Sequence, residues 1–566
     1  MAASMIGADA IVDSFIRNEI GRVFMFPGGT IAPILDVAIR RGIEIVCTRH
    51  EQGAGYAALG AARLTGRPQV VMVTSGPGVT NVVTPVADAY FDSVPLVVIT
   101  GQVGTGDMRG ERPVRQRGFQ EVDTVALMRP ISKAQFLVTA PSQLPEVMHR
   151  AFHLAGEGRR GPVVVDLPMN TQRGEIGDVP PIPSASNGAP RMDLAAINQV
   201  AKWISSAKRP VILSGQGVLL SGAHDEVRRL ADRGRIPVSQ SLLGLGSFPT
   251  NSPLALGFHG HTGNQYAGKA IHEADLLLVC GSRLDVRQTG TRIDDFVPGG
   301  KVVRIDIDVN ELDHSRVRSD LAIQGDVRQV LEALNACMND LPQPESEKWL
   351  TQIQEWRATF PLSYEKTGKL KPQNVIETID CITTGQPVIC VSGVGSHQQW
   401  VARHFTFDHP SRPWLTSGGH GAMGFDLPVA IGAQITFPDR PVICFVGDGS
   451  LQINIQELAT IVEYKLPVKM VVLNNHRLGI VSQFQKLNWK SDPTCGQKWN
   501  PDFAAVARAY GIASSTITQA NEIKIHAETA LAHDGPYLID CIVDEDEDVV
   551  PMLLGGQKMD GMWPYA

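Results

Sequence analysis

Short runs of β-branched and aliphatic residues recur along the whole chain: VVMVTS (70–75), LVVITG (96–101), VVVDL (163–167), VILSG (211–215), LLLVCG (276–281), VVRIDI (302–307), VICFVG (442–447) and MVVLNN (470–475). They are continuous rather than alternating, the pattern of strands buried on both faces, and helical patterns fill the intervals between them. Strand and helix in regular succession predict an α/β protein of parallel, doubly wound sheets. Ahead of the first run, Ala8, Ile11, Val12, Phe15 and Ile16 share one side of a helical projection and predict an amphipathic helix. Two stretches, VPPIPSASNGAP (179–190) and NDLPQPESEK (339–348), interrupt the succession with Pro, Ser and polar residues and read as linkers. The chain thus divides into three α/β units of about 1–175, 190–340 and 365–545, followed by a tail of 546–566.

The first and third units carry the same supersecondary order. VVMVTS leads to Gly76-Pro77-Gly78, a helical stretch, Pro95 and LVVITGQ; VICFV leads to Gly447-Asp448-Gly449, a helical stretch, Pro467 and MVVLNN. The glycine-to-proline separations are 19 and 20 residues, which predicts an internal duplication with matching crevices at the carboxyl ends of two sheets. Only the third unit has Asp448 and Asn475 at those ends, so a metal is expected on one side only.

Composition narrows the class. With 43% hydrophobic and 19% charged residues, the 566-residue chain has the makeup of a packed multidomain protein. A net charge of −7 without a basic run excludes a nucleic-acid footprint. Eight cysteines without a CxxC pair, several inside apolar runs, read as reduced core residues. The longest uncharged stretch, Pro68–Ala87, is broken by Gly76-Pro77-Gly78 and Pro85, which argues against a membrane span, and the start lacks a targeting pattern. Cytoplasm is the expected location.

The strongest chemical signal is Gly447-Asp448-Gly449-Ser450 followed, one helix and one strand later, by Asn474-Asn475. An Asp and an Asn at neighbouring strand ends offer hard oxygen ligands, and the glycines let backbone amides approach a diphosphate. A GDG turn alone is common; joined to the asparagines at this distance, it resembles the fingerprint for thiamine diphosphate (ThDP) with Mg²⁺. That resemblance implies Asp448, the Asn475 side chain and the Arg477 carbonyl as metal ligands. A second signal is Arg49-His50-Glu51-Gln52-Gly53-Ala54. ThDP needs a carboxylic acid beside its pyrimidine for proton exchange, and Glu51 is the candidate; His50 reads as structural.

RHEQGAGYAALGAARLTG (49–66), TSGPGVTN (74–81), GFQEVD (118–123), TSGGHGAMGFDLPVAIGA (416–433), the GDGS to NN segment and VVPMLLGGQKMDGMW (549–563) resemble the acetohydroxyacid synthase (acetolactate synthase) catalytic subunit family over nearly the whole chain. The resemblance implies a pyrimidine-binding unit, a central unit and a diphosphate-binding unit, with the site shared between the first unit of one subunit and the third of another. By it, Gly421, Ala422 and Met423 lie under the pyrimidine, Met423 bending the cofactor. Gly395, His397, Gly449 and Ser450 contact the diphosphate, with Ser396 where the family has Gln. SGQG (Gly215, Gly217), LGFHGHTG (His259), SRLDVRQTG (Arg283, Asp285), IDIDVNEL (Asp306) and QGDV (Asp326) would bind FAD, although sister families keep this domain with another nucleotide or none.

Departures from the family fall around the substrate. Phe484 stands for the usual Trp, Ile480 and Phe258 for usual Met residues, and Met169 for a Lys; RQRGFQE (115–121) keeps Phe119 and Gln120. Arg287 matches the arginine proposed to hold the acceptor carboxylate, and Gly28 and Gly29 join the pocket residues. The implied activity is a 2-oxoacid carboligase that decarboxylates pyruvate and adds the hydroxyethyl unit to a second 2-oxo acid. It would act as a homodimer or homotetramer, with room for a regulatory subunit, and the tail around Gly555–Trp563 would close over the site. The competing readings are another ThDP enzyme (an acyloin-forming carboligase with a different acceptor, a 2-oxoacid decarboxylase or a pyruvate oxidase) and a non-catalytic nucleotide-binding protein.

Overall fold

The computed structural model describes residues 5–177, 192–491 and 499–565. The linker read at Val179–Pro190 lies outside the described residues, as does Cys495. The second linker runs without helix or strand only to Ser346; a helix not foreseen from the sequence, Glu347–Thr359, follows it.

Three parallel six-stranded sheets carry the fold. The first holds Arg22–Met25, Glu44–Cys47, Gln69–Val73, Leu96–Gln102, Ala134–Leu137 and Pro162–Pro168 (β1–β6), in the order β2-β1-β3-β4-β6-β5. The central one holds Pro210–Ser214, Val238–Gln240, Ala255–Phe258, Leu276–Cys280, Lys301–Asp306 and Leu321–Gln324 (β7–β12), in the order β12-β11-β10-β7-β8-β9. The third holds Ile389–Ser392, Trp414–Leu415, Val442–Gly447, Lys469–Asn474, Ala513–Ile517 and Tyr537–Ile542 (β13–β18), in the order β14-β13-β15-β16-β18-β17. The first and third orders are the same once each unit is numbered from its own start, so the duplication read from the two turns extends to the whole topology. The central sheet instead reverses direction between β7 and β10, the dinucleotide-fold arrangement, with a crevice at the reversal.

The continuous apolar runs became these inner strands. Every residue of β4, β6, β7, β10, β15 and β16 is buried, because helices cover both faces of each sheet. The amphipathic N-terminal segment forms the helix Gly7–Arg17, with Ala8, Ile11, Val12 and Phe15 in the core. Cys280, Cys390, Cys444 and Cys541 are buried and Cys47 and Cys337 half-buried, but Cys381 is exposed, because it lies on the outward side of the Pro372–Ile382 helix. Among the described residues no helix is long and apolar enough to cross a membrane.

The helices Glu51–Thr65 and Asp426–Thr436 each follow the second strand of their twin unit, and they pack against each other. A Cβ on Gly60 would lie 2.6 Å from the Val429 carbonyl oxygen, and one on Gly432 only 1.9 Å from that of Ala57. Only glycine lets two helix backbones come this close. Ala57 and Gly432 each lie six residues beyond the acid that starts its helix, while Gly60, nine beyond, meets Val429, three beyond. The helices therefore run antiparallel about a local twofold relation. Six helical residues span about 9 Å, so Glu51 and Asp426 stand at opposite ends of the crossing.

Candidate active site

Three carboxyl-end rims hold the candidate residues. On the third sheet the chain leaves β13 through Gly393, Gly395, Ser396 and His397, leaves β15 through Asp448, Gly449 and Ser450, and leaves β16 through Asn474 and Asn475. Gly395 has φ of 150°, and a Cβ there or on Gly447 would meet His397 Nδ1 at 2.8 Å, so this rim is backbone-lined where a diphosphate would approach. Asp426, fully buried, organises it: its oxygens accept the Gly393 amide and the Ser450 hydroxyl, and one lies 3.1 Å from His397 Nε2. Ser450 Oγ in turn accepts the Gly424 amide at 2.8 Å, which ties the diphosphate turn to the loop of Gly421, Ala422 and Met423.

Asp448 is 2% exposed, and burial pushes its carboxyl above the usual range. Its donors are the Gly449 amide at 2.9 Å and Asn500 Nδ2 at 2.7 Å, and no lysine or arginine pairs with it among the described residues. A buried carboxylate without a cation is costly, and a divalent ion would relieve it. Asn475 is also buried and its Oδ1 accepts the Arg477 amide at 3.3 Å. Among the described residues no cluster of three or more His, Cys, Asp or Glu side chains could hold a metal. One carboxylate, one amide and one carbonyl are hard ligands but too few for Mg²⁺, which fits an ion completed by the oxygens of a diphosphate.

The first sheet's rim gathers the other set. Glu51 is 5% exposed and its Oε2 accepts Asn81 Nδ2 at 2.9 Å, while His50 caps the same helix by accepting the Gln52 amide on Nδ1 at 3.1 Å. Gln120, at φ of 64°, packs over Gly76, whose Cβ would meet it at 2.9 Å. Phe119 beside it is 84% exposed. Gly28, at the end of β1, packs on Thr74, and Gly29 faces open space. These residues stand together, but at the opposite end of the helix crossing from the Asp426 rim of the same chain.

The central sheet's crevice opens as a cleft that also receives Arg159 and Arg160 from the first unit and Gln399, Gly418 and Gly419 from the third. Gly215 and Gly217 pack on Gly281, where a Cβ would come within 2.2 and 2.7 Å. Burial raises the carboxyl of Asp306 at the end of β11. His259 is buried with Nε2 2.7 Å from the Gln288 carbonyl, and burial lowers its pKa to about 4, so it is neutral. Asp285 and Asp326 cap the turns that follow their strands, accepting Arg287 and Gln288 amides and Arg328 and Gln329 amides respectively, and Arg283 pairs with Asp285 at 3.2 Å. Their carboxylates are thus engaged locally, a role that a strand-end acid in sequence does not distinguish from ligand binding.

Phe258 lines the cleft and belongs to the core cluster on which Ile480 packs, whereas Phe484, one turn on from Ile480, is 48% exposed and stacks edge-on with Trp489. Arg287 reaches the same cleft and is exposed. The tail docks on the central unit: Met559 and Met562 are buried there, and the Leu553 amide donates to the His261 carbonyl. Sequence reasoning missed Asn81, Asp426, Asn454, whose Nδ2 donates to the Gly424 carbonyl at 2.6 Å, and Glu457, which accepts the Arg49 amide, although all lie inside quoted motifs, and Asn500, which has no motif around it.

The comparisons with known proteins follow this division. The description "Thiamine pyrophosphate enzyme, N-terminal TPP binding domain" matches residues 5–127, its central domain 197–334 and its C-terminal TPP binding domain 393–541. Thiamine pyrophosphate is ThDP. The chain is 38% identical to the acetolactate synthase isozyme 3 large subunit of Escherichia coli over 98% of both chains. It is also 38% identical to the acetolactate synthase large subunit of Corynebacterium glutamicum, over 98% of this chain and 89% of that one, and to the probable large subunit of Methanocaldococcus jannaschii, over 98% and 94%. Glycine-lined rims, a buried cation-less Asp448 and matches that run nearly end to end lead to one assignment: this chain belongs to the thiamine pyrophosphate enzymes, within the acetolactate synthase large-subunit family.

Proposed function

We propose that the chain is the catalytic subunit of a ThDP- and Mg²⁺-dependent 2-oxoacid carboligase of the acetolactate synthase type, taking pyruvate as donor and a second 2-oxo acid as acceptor. The observation that carries this reading is the division of labour between twin units: a buried carboxylate at Glu51 on one rim, and on the other an Asp448 that lacks a cation beside Asn475. The unit boundaries stand at about 1–175, 190–340 and 365–545, with the tail from 546. Asp448, Asn475 and the Arg477 carbonyl would hold Mg²⁺; Gly395, Ser396, His397, Gly449 and Ser450 the diphosphate; Gly421, Ala422 and Met423 the pyrimidine.

When bound, ThDP supplies the electron sink for decarboxylation. Glu51 would hold and return a proton at the pyrimidine ring nitrogen, and Asn81 would keep its carboxylate oriented. Phe119 and Gln120, on the Gly76 turn, would border the reacting carbons. Arg287, with no carboxylate partner among the described residues, would bind the acceptor carboxylate, while Phe258, Ile480, Phe484, Gly28 and Gly29 shape its side-chain pocket. The docked tail would limit water at the cleft mouth. The antiparallel helix crossing supports a site completed by a second copy, hence a homodimer or homotetramer in the cytoplasm; the large-subunit relatives support a regulatory partner.

The cleft supports FAD, held through the Gly215–Gly217 turn, His259, Arg283 and Asp306, with Asp285 and Asp326 shaping its walls. Purified protein is expected to carry flavin absorbance and to release FAD on heat denaturation. Full activity in flavin-free protein would remove FAD from the account.

Acceptor choice is expected to follow the aromatic wall. A phenyl in place of an indole leaves a smaller flat surface, and a methylene's difference in an apolar pocket is worth about 1–3 kcal/mol, so weak preference for 2-oxobutyrate over pyruvate is expected. Phe484→Trp should keep pyruvate consumption and shift products toward acetohydroxybutyrate. Competition between the two acceptors, read by mass spectrometry, checks both points. Acetolactate and acetohydroxybutyrate support the proposal; acetaldehyde alone would make the enzyme a decarboxylase, and acetate or acetyl phosphate with reduced flavin an oxidase.

A further inference from the structure

Each twin unit sends a buried carboxylate across to the other. From the first unit Asp92, just after the Val83–Phe91 helix, accepts the Gly418 amide at 3.0 Å on one oxygen and the Gly419 amide at 2.7 Å on the other. Arg63 pairs with it and donates to the Thr416 carbonyl at 2.6 Å. From the third unit Glu457 accepts the Arg49 amide on both oxygens, at 3.1 and 3.2 Å, and the Thr460 hydroxyl at 2.6 Å. Both carboxylates are 0% exposed. Glycines make the room: a Cβ on Gly419 would lie 2.9 Å from Asp92 Oδ1, and one on Gly53 2.3 Å from Glu457 Oε1.

Each gripped amide lies a few residues from a candidate cofactor-facing group. Gly418 and Gly419 lead into Gly421–Met423, and Arg49 lies two residues before Glu51. Burying an ionisable group for packing alone is unfavourable, since an apolar side chain fills space without the desolvation cost. What a carboxylate adds is two acceptors fixed in one plane, which sets the direction of the backbone it holds. Asp88, one turn before Asp92, accepts the Tyr56 hydroxyl at 3.3 Å, and burial together with the charge of Asp92 raises its carboxyl well above the usual carboxylate range.

We propose that Asp92 and Glu457 are a crossed pair of positioning residues: Glu457 aims Glu51, and Asp92 sets the loop of Gly421–Met423. The inference rests on the reading that Glu51 and this loop face ThDP. It separates two effects that a general packing role would merge. Loss of the Glu457 grip misdirects the proton-handling group and leaves cofactor affinity alone. Loss of the Asp92 grip loosens the cofactor's seat and leaves proton handling alone once ThDP is saturating.

Two readouts on the full-length protein test this: ThDP affinity, from tryptophan fluorescence with Mg²⁺ present, and the rate of hydrogen–deuterium exchange at the reactive carbon of bound ThDP, from acid-quenched NMR. Glu457→Gln is expected to slow exchange roughly tenfold or more with affinity within about twofold. Asp92→Asn is expected to weaken affinity roughly tenfold with exchange near normal at saturation. Should either variant fail to fold, Thr460→Val, which removes the hydroxyl orienting Glu457, and Gly419→Ala, which crowds Asp92, are expected to show the same split at smaller amplitude. Variants that lower only the thermal midpoint, or that change both readouts in parallel, overturn the inference. Glu51→Gln exchanging at the parental rate would instead overturn the reading beneath it.

Discussion

Glu51→Gln is expected to bind ThDP as the parent does and to lose about two or more orders of magnitude of turnover with pyruvate. The substitution keeps side-chain volume and an acceptor for Asn81 Nδ2, now 2.9 Å from Oε2, so the rim should hold its shape. What it removes is the exchangeable proton. A carboxylate that merely favours a helix N-terminus is worth only about 0.3–1 kcal/mol, far less than the loss expected here. Steady-state kinetics beside a ThDP titration separate the two: unchanged affinity with collapsed turnover is the expected pair, and parental activity would falsify the assignment of Glu51.

Asp448→Asn is expected to fail earlier, at cofactor binding. The parent carboxylate is buried, shifted upward by burial and partnered only by neutral donors, so a divalent cation gains its full charge there. An amide offers that cation one neutral oxygen. Apparent affinity for Mg²⁺ and ThDP should fall by at least about tenfold, the scale of a lost charge-assisted contact, while thermal stability without cofactor holds or rises because an uncompensated buried carboxylate has gone. Calorimetric titration of Mg²⁺ in the presence of ThDP checks the first part and thermal melts of the cofactor-free protein the second.

Much of the fold was legible because inner strands of parallel sheets are written as uninterrupted apolar runs. Two edge strands were not: Ala134–Leu137 is only half-buried and Trp414–Leu415 is two residues long, so neither leaves a periodic signal. The duplication showed in the paired glycine turns, yet the correspondence of Glu51 with Asp426 did not, since an acid starting a helix is ordinary. It emerges only where Gly60 and Gly432 let the two helices touch. Asp92 and Glu457 were hidden for the same reason: nothing local says which carboxylates a crossing will bury. Asp285 and Asp326 illustrate the converse, because helix caps and ligand-binding acids occupy the same place at strand ends.

The shared site makes a sharp demand, because Glu51 and the Asp448 rim lie at opposite ends of the crossing within one chain. A two-copy enzyme built this way has two sites, each taking Glu51 from one copy and Asp448 from the other. Mixing equal amounts of Glu51→Gln and Asp448→Asn proteins under conditions that exchange subunits should then restore about a quarter of parental activity, since half the dimers are mixed and each has one intact site. The result predicted is that recovery, with acetolactate as product. A mixture no more active than its two components, although mass measurements show the mixed dimers present, would contradict the account.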